Sequence, residues 1–308
     1  MTDLPLALGT IPFGTSVDDA TTFDLLDRFV AAGGSRVDTA NNYPFWVDGA
    51  SGDESELAIG RWLTSRGVRD RIVLSTKCGA RPTSGSTLDT AEGLSAPAVH
   101  RAVEDSLRRL QTDVIDVYWA HIEDRSVPLA ETVGAFGELV ERGLVRATGA
   151  SNLPTWRLER ARATARTLGV EPWTNVQLRY TYLQPRPGVR LPEAGHTLVT
   201  PEMLDYVAAE PDLTLWTYNT LLAGAYTRPD RPLNLIFDHP GTTHRLAVLA
   251  DVAREVDATA NQVVLAWLVA KGAVPIVGVT RTAQLDEALA GVQLDLDDEL
   301  VARLDAPT

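Results

Sequence analysis

The sequence predicts an α/β protein folded as a single (β/α)8 barrel domain over residues 1–308, with long βα loops on the C-terminal face of the barrel. Three observations carry that reading. Eight short, β-rich apolar runs alternate with segments of helical periodicity, the pattern of successive βαβ units and a parallel sheet. The glycine fingerprint GxGxxG, which the rival doubly wound sheet uses to bind dinucleotides, occurs nowhere in the chain. Two long connections, residues 180–200 and 224–244, each follow a strand, and the loops after strands are where such barrels carry their sites.

The elements follow in order from these signals. The strands are expected at residues 6–10, 36–39, 72–77, 115–120, 145–151, 174–178, 214–217 and 274–279. The first helix, 18–32, stops at Gly33-Gly34, a C-terminal cap signal. Ser95 caps a helix at 96–110 with Pro97 in its first turn. Helices at 128–142 and 155–168 end at Gly143 and Gly169, and further helices are expected at 201–209, 246–256, 260–271, 282–290 and 297–304. The first strand begins almost at once.

Composition narrows the function. With 44% hydrophobic and 22% charged residues the chain is that of a globular protein, and no apolar stretch approaches the ~20 residues of a membrane span. The start, Met1-Thr2-Asp3-Leu4-Pro5, has no basic segment and no apolar core, so no signal peptide is expected. The lone Cys78 cannot form an internal disulfide, which fits a reducing cytoplasm. The five histidines lack metal-ligand spacing, so no metal is expected. A net charge of −13 argues against nucleic acid or an anionic membrane as partner. Oligomeric state is not encoded legibly.

Lysine occurs only at positions 77 and 271, so this chain does not use it as surface filler. Lys77 closes the apolar run Ile72-Val73-Leu74-Ser75-Thr76, where a buried ammonium requires a carboxylate partner. In a barrel the ends of neighbouring strands converge, and Asp38, ending the second strand, supplies that partner. Tyr43 follows in the same loop, and His121 sits at the end of the fourth strand. Taken singly, an Asp after a strand is often a cap, a loop Tyr is often packing, and a lone His is often a bonded core residue. Together they suit carbonyl reduction. Hydride delivery to a carbonyl carbon builds negative charge on oxygen, which must be stabilised and protonated. A tyrosine hydroxyl can supply the proton if a nearby ammonium lowers its pKa from ~10. Asp38 would hold Lys77 charged, and His121 would orient the substrate oxygen.

These residues lie in runs that resemble the aldo-keto reductase family. The runs are Gly34-Ser35-Arg36-Val37-Asp38-Thr39-Ala40-Asn41-Asn42-Tyr43, Glu54-Ser55-Glu56-Leu57-Ala58-Ile59-Gly60, Leu74-Ser75-Thr76-Lys77, residues 113–121 ending in Trp119-Ala120-His121, and residues 143–152 ending in Ser151-Asn152. The resemblance extends in order over residues 8–289. It implies a single barrel that reduces an aldehyde or ketone with NADP(H), bound extended across the mouth, with Tyr43, Lys77, Asp38 and His121 as the catalytic set. It further implies that Ser151, Asn152 and Gln177 meet the nicotinamide carboxamide and that Tyr218 stacks on the ring. Asn219, Leu221 and Gly224 would follow the pyrophosphate. Thr10, Ile11, Asp38, Gly278, Gln284 and Glu287 complete the implied cofactor set.

The chain departs from the family pattern in several places. Thr280 stands where a basic residue commonly meets the adenosine 2′-phosphate, and Arg281 one position on is its expected substitute; NAD(H) stays open as cofactor. Ala288 replaces an asparagine that usually contacts adenine. Pro44-Phe45-Trp46 follow the tyrosine where glycine is common, and Phe45 and Trp46 are expected to form an apolar substrate wall or to pack on each other. Arg186, Arg190, Arg228 and Arg231 would attract an anionic substrate or stand as solvated loop charges. Two other readings remain: a catalytically weak NADP(H)-binding regulatory or redox-sensing relative on the same fold, and a different barrel enzyme using Asp38 and Glu123 as acid and base.

Overall fold

The computed structural model describes residues 4–306 apart from 86, 192 and 194. Eight strands close into a parallel barrel in sequential order: β1 (Ala7–Gly9), β2 (Arg36–Asp38), β3 (Val73–Cys78), β4 (Ile115–Ala120), β5 (Val145–Ser151), β6 (Asn175–Arg179), β7 (Thr214–Tyr218) and β8 (Ala273–Gly278). The seam is β1 against β8, with Leu8 opposite Val277. Among the described residues no helix is long and apolar enough to cross a membrane.

Helices cover the barrel. In order they are α1 (Asp19–Ala31), α2 (Glu54–Arg66), α3 (Ala96–Leu110), α4 (Leu129–Glu141), α5 (Thr155–Leu168), α6 (Pro201–Ala209), α7 (Pro240–Glu255), α8 (Ala260–Ala270), α9 (Thr282–Gln293) and α10 (Asp298–Asp305). Their ends follow sequence chemistry. The Asp18 side chain caps α1 by accepting from the Thr21 amide, and Thr259 with Gln262 forms a reciprocal capping box on α8. Ser95 precedes α3 as expected, with Pro97 in the first turn, but its side chain makes no capping bond.

The structure corrects two stretches of the expected helix series. It adds α2, whose apolar positions Ala58, Ile59, Trp62 and Leu63 are buried and whose end is a left-handed Gly67 at φ 62°. It also starts α7 at Pro240 rather than at residue 246, because proline is tolerated in a first turn.

Two apolar layers result. The larger lies between the strands and the helices, around Leu25, Phe29, Trp62, Phe136 and Leu265. The smaller fills the barrel itself with Ala7, Val117, Trp119, Trp216, Val274 and Ile276. The two indoles meet edge to face at 5.5 Å, and Trp216 Nε1 donates to Asn175 Oδ1 at 3.1 Å. Gly149 permits this packing: a Cβ there would lie 2.5 Å from the Asn175 carbonyl oxygen and 2.7 Å from the Trp119 ring. With the interior filled, the ligand space of the barrel lies at the C-terminal ends of the strands.

Candidate active site

That space is a cleft of about 790 Å³ across the barrel mouth. Its floor is set by β2 and β3. Lys77 is completely buried, and its Nζ donates to Asp38 Oδ2 and to the Thr39 carbonyl, both at 2.6 Å. Asp38 also accepts from Ser75 Oγ at 2.6 Å and from Gln177 Nε2 at 3.1 Å. Three donors thus converge on one carboxylate from two other strands, β3 and β6. Burial pulls the Lys77 ammonium down, while the adjacent Asp38 opposes that fall.

Tyr43 lies directly over this pair, its ring centroid 4.9 Å from Lys77 Nζ. Its loop is pinned from below by Ser55 at the start of α2. Ser55 Oγ is 2.8 Å from the hydroxyls of both Thr10 and Thr39, and the Ser55 amide donates to the Tyr43 carbonyl at 3.3 Å. Asn42 Nδ2 donates to the Ala80 carbonyl at 3.0 Å and fixes the other side. The phenol does not follow the expected shift. Burial first, and then the Asp38 charge, push it well above its ordinary value of 10.0, so it is a protonated donor. The Lys77 ammonium, paired with Asp38 at 2.6 Å, does not offset these two effects.

His121 faces Tyr43 edge to face at 5.7 Å. Burial, the Lys77 charge and His196, in that order, hold its imidazole well below the usual 6.5, so the ring is neutral. Its Nδ1 is buried without a hydrogen-bond partner. The four residues expected to act together are therefore adjacent.

The expected cofactor residues line the same cleft with one exception. Asn152 Nδ2 donates to Ser151 Oγ and to the His121 carbonyl, both at 3.0 Å, and Tyr218 Oη donates to Asn152 Oδ1 at 2.7 Å. Thr10, Ile11, Gln177, Asn219, Leu221, Gly224, Gly278, Arg281, Gln284 and Glu287 also line it. Thr280 does not: its amide and hydroxyl turn onto Gln284 Oε1 at 2.9 and 3.1 Å. Glu287 is engaged by Thr259 Oγ1 at 2.7 Å and Asn261 Nδ2 at 3.1 Å. Phe45 and Trp46 do both things expected of them, packing edge to face at 5.1 Å while walling the cleft.

Glu123 is not part of the cleft. It pairs with Arg157 at 2.5 Å and Arg125 at 2.9 Å, so the alternative acid–base pair with Asp38 is not assembled. Of the four loop arginines, Arg228 reaches the cleft wall but is paired with Asp230. Among the titratable residues of the cleft, sequence reasoning missed Arg179, Glu193 and His196. The signal for Arg179 was weak: it directly follows the strand expected at 174–178, but its run Asn175-Val176-Gln177-Leu178 is mixed, unlike the apolar run that Lys77 closes.

Comparison with known proteins agrees with this arrangement. Residues 5–307 match the model of the aldo/keto reductase family. The oxidoreductase YrpG of Bacillus subtilis is 31% identical over 97% of this chain and 90% of its own length. An aryl-alcohol dehydrogenase of Pestalotiopsis microspora is 28% identical over 98% of this chain and 78% of its own. The crystal structure of an aldo/keto reductase from Klebsiella pneumoniae in complex with NADP and acetate superimposes with a TM-score of 0.71, at 26% identity, covering 98% of this chain and 90% of that one. The chain belongs to the aldo/keto reductase family and is an oxidoreductase.

Proposed function

We propose that this protein, read as one cytoplasmic domain, reduces an aldehyde or ketone to the alcohol with NADPH, Tyr43 donating the proton. The observation that carries the reading is the stack of Asp38, Lys77 and Tyr43 at the cleft floor, with the Lys77 ammonium 4.9 Å from the phenol ring and the neutral His121 ring beside it. NADPH, when bound, supplies the hydride. The chain's own residues do the rest. His121 donates one N–H to the carbonyl oxygen and fixes its direction toward Tyr43. The Tyr43 hydroxyl gives its proton as negative charge develops on that oxygen, and the ammonium beneath stabilises the phenolate that results. Asp38 keeps the ammonium in place.

The described residues fit the cofactor. Gly278 is exposed at the cleft edge, where a Cβ would meet only the Gly9 carbonyl oxygen at 3.8 Å, leaving room for a ligand to lie against the backbone. No side chain caps the first turn of α9, and Arg281 stands at that end in the cleft wall. An uncapped helix start with a guanidinium beside it suits a phosphate. This supports NADPH over NADH, with Arg281 taking the place that Thr280 leaves. Ser151, Asn152 and Gln177 would hold the carboxamide and Tyr218 the ring face.

For substrate, the reading favours aromatic aldehydes. Tyr43, Phe45 and Trp46 form one aromatic wall, Trp46 being 51% exposed beside the phenol, and the aryl-alcohol dehydrogenase relative carries the corresponding aryl alcohol in its name. The test is NADPH oxidation against aromatic and aliphatic aldehydes, repeated with Tyr43→Phe. That variant should bind NADPH normally by fluorescence quenching and lose roughly 10²–10⁴ in turnover. Turnover near wild type would overturn the assignment.

A further inference from the structure

Arg179 ends β6 as a nearly buried guanidinium in the cleft wall. It lies two residues beyond Gln177 and therefore on the same face of the strand. Its Nη1 donates to Glu193 Oε2 at 2.5 Å. With the Asn219 amide turned so that its oxygen faces the guanidinium, that oxygen accepts from Nε and Nη2 at 2.9 and 2.6 Å. The two partners differ in kind. Asn219 follows the last residue of β7, on the scaffold, whereas Glu193 hangs from the long loop between β6 and α6, with its side chain 47% exposed.

The loop does not depend on this ion pair for its course. The Arg179 amide donates to the Thr197 carbonyl and the Val199 amide to the Arg179 carbonyl, both at 3.0 Å. Thr197 is also tied to Asn152, its amide donating to Oδ1 at 3.2 Å and its hydroxyl to the Asn152 carbonyl at 2.9 Å. The Glu193 carboxylate can therefore leave while the backbone at Thr197 and Val199 stays.

We infer that Arg179 and Asn219 form an anion seat that Glu193 fills in the empty enzyme, and that the diphosphate bridge of the nicotinamide cofactor displaces Glu193 from it. The inference rests on the reading of the cleft as a dinucleotide site. Position selects the diphosphate. Gln177 reaches Asp38 at the hydride end, and Arg281 and Gln284 lie at the β8 end. In the barrel order β7 stands between β6 and β8, so Asn219, with Arg179 bonded to it, comes between these two, where the middle of an extended dinucleotide would fall. Chemistry agrees, since a guanidinium prefers a doubly charged oxyanion to a single carboxylate held by a loop.

Glu193→Gln and Arg179→Met separate this exchange from a simple loop clamp. Binding is measured by calorimetry with NADP+, with 2′-phospho-ADP-ribose, which keeps the diphosphate, and with adenosine 2′,5′-bisphosphate, which lacks it. Removing the competitor in Glu193→Gln should tighten the first two about threefold or more, and removing the seat in Arg179→Met should weaken them about tenfold or more. The bisphosphate, which keeps only the adenosine-side phosphate of that bridge, should shift less with either variant. Glu193→Gln alters only a half-exposed loop side chain, so its result stands even where Arg179→Met unfolds. If both variants weaken binding, or the bisphosphate shifts equally, the pair is a clamp and the exchange is overturned. Wild-type binding of NADP+ with no change in Glu193→Gln overturns the exchange alone. Failure of the wild-type protein to bind NADP+ overturns the cofactor reading as well.

Discussion

Replacing Lys77 by Met tests how the cleft floor is held together. The substitution keeps side-chain length but removes the ammonium from a completely buried position. Asp38 then keeps Ser75 and Gln177 as donors to Oδ1, while its Oδ2 loses the Lys77 contact at 2.6 Å. The Thr39 carbonyl loses the same ammonium. Removing one partner of a buried ion pair costs about 3–5 kcal/mol, mostly because the surviving charge is left in a poorly polarisable site. Neutralising both in Asp38→Asn/Lys77→Met removes that penalty and leaves the Thr39 carbonyl unsatisfied, for about 1–3 kcal/mol. The two single losses should therefore exceed the double by several kcal/mol, a coupling measurable by urea unfolding followed by far-ultraviolet circular dichroism. Turnover should behave differently. The double variant should regain folding but not activity, because no cation remains to stabilise the phenolate. A Lys77→Met variant within about 1 kcal/mol of wild type would refute the structural half of this reasoning. A double variant with restored turnover would refute the chemical half.

Three other outcomes follow from single positions. Gly149→Ala places a methyl 2.5 Å from the Asn175 carbonyl oxygen and should lower stability by about 1–3 kcal/mol, read as a shifted urea midpoint. His121 is held well below 6.5, so between that value and its folded-state pKa the unfolded chain binds the extra proton. Stability should therefore fall as pH drops below about 6.5, and His121→Asn should make the fall shallower by up to about one proton in thermal melts. Arg281→Ala should weaken NADPH by about tenfold or more while leaving NADH nearly unchanged in fluorescence titrations, and equal losses would remove Arg281 from the phosphate site.

What was legible in the sequence depended on how local its physics is. Strand order and closure could be read because most βα units carry their own punctuation, such as the left-handed glycines at positions 143 and 169 that follow α4 and α5. Lys77 and Asp38 could be paired because a buried charge in a lysine-poor chain needs a partner wherever the fold brings one. Thr280 was harder. Whether it or Arg281 faces the cleft turns on the Thr280–Gln284 bonds, which a residue pattern does not fix. Arg179 was missed because its two partners lie 14 and 40 positions away, in a loop and on another strand. Long-range exchange of this kind has no periodic signature.

The tyrosine shows where pairwise reasoning from sequence fails. An ammonium near a phenol lowers its pKa when the ammonium acts alone, and in this cleft it does not. Asp38 sits against Lys77, so Tyr43 experiences an ion pair together with the cost of its own burial, and both effects named for the phenol raise its pKa. A raised pKa is no obstacle to the proposed chemistry. The acceptor is an alkoxide in the making, a stronger base than phenolate, so a phenol that stays protonated at every working pH still releases its proton once the oxygen gains charge. The ammonium then acts on the phenolate after transfer. Lys77 is thus better understood as the cation that limits what burial and Asp38 cost the phenolate late in the reaction than as a device for ionising the resting tyrosine.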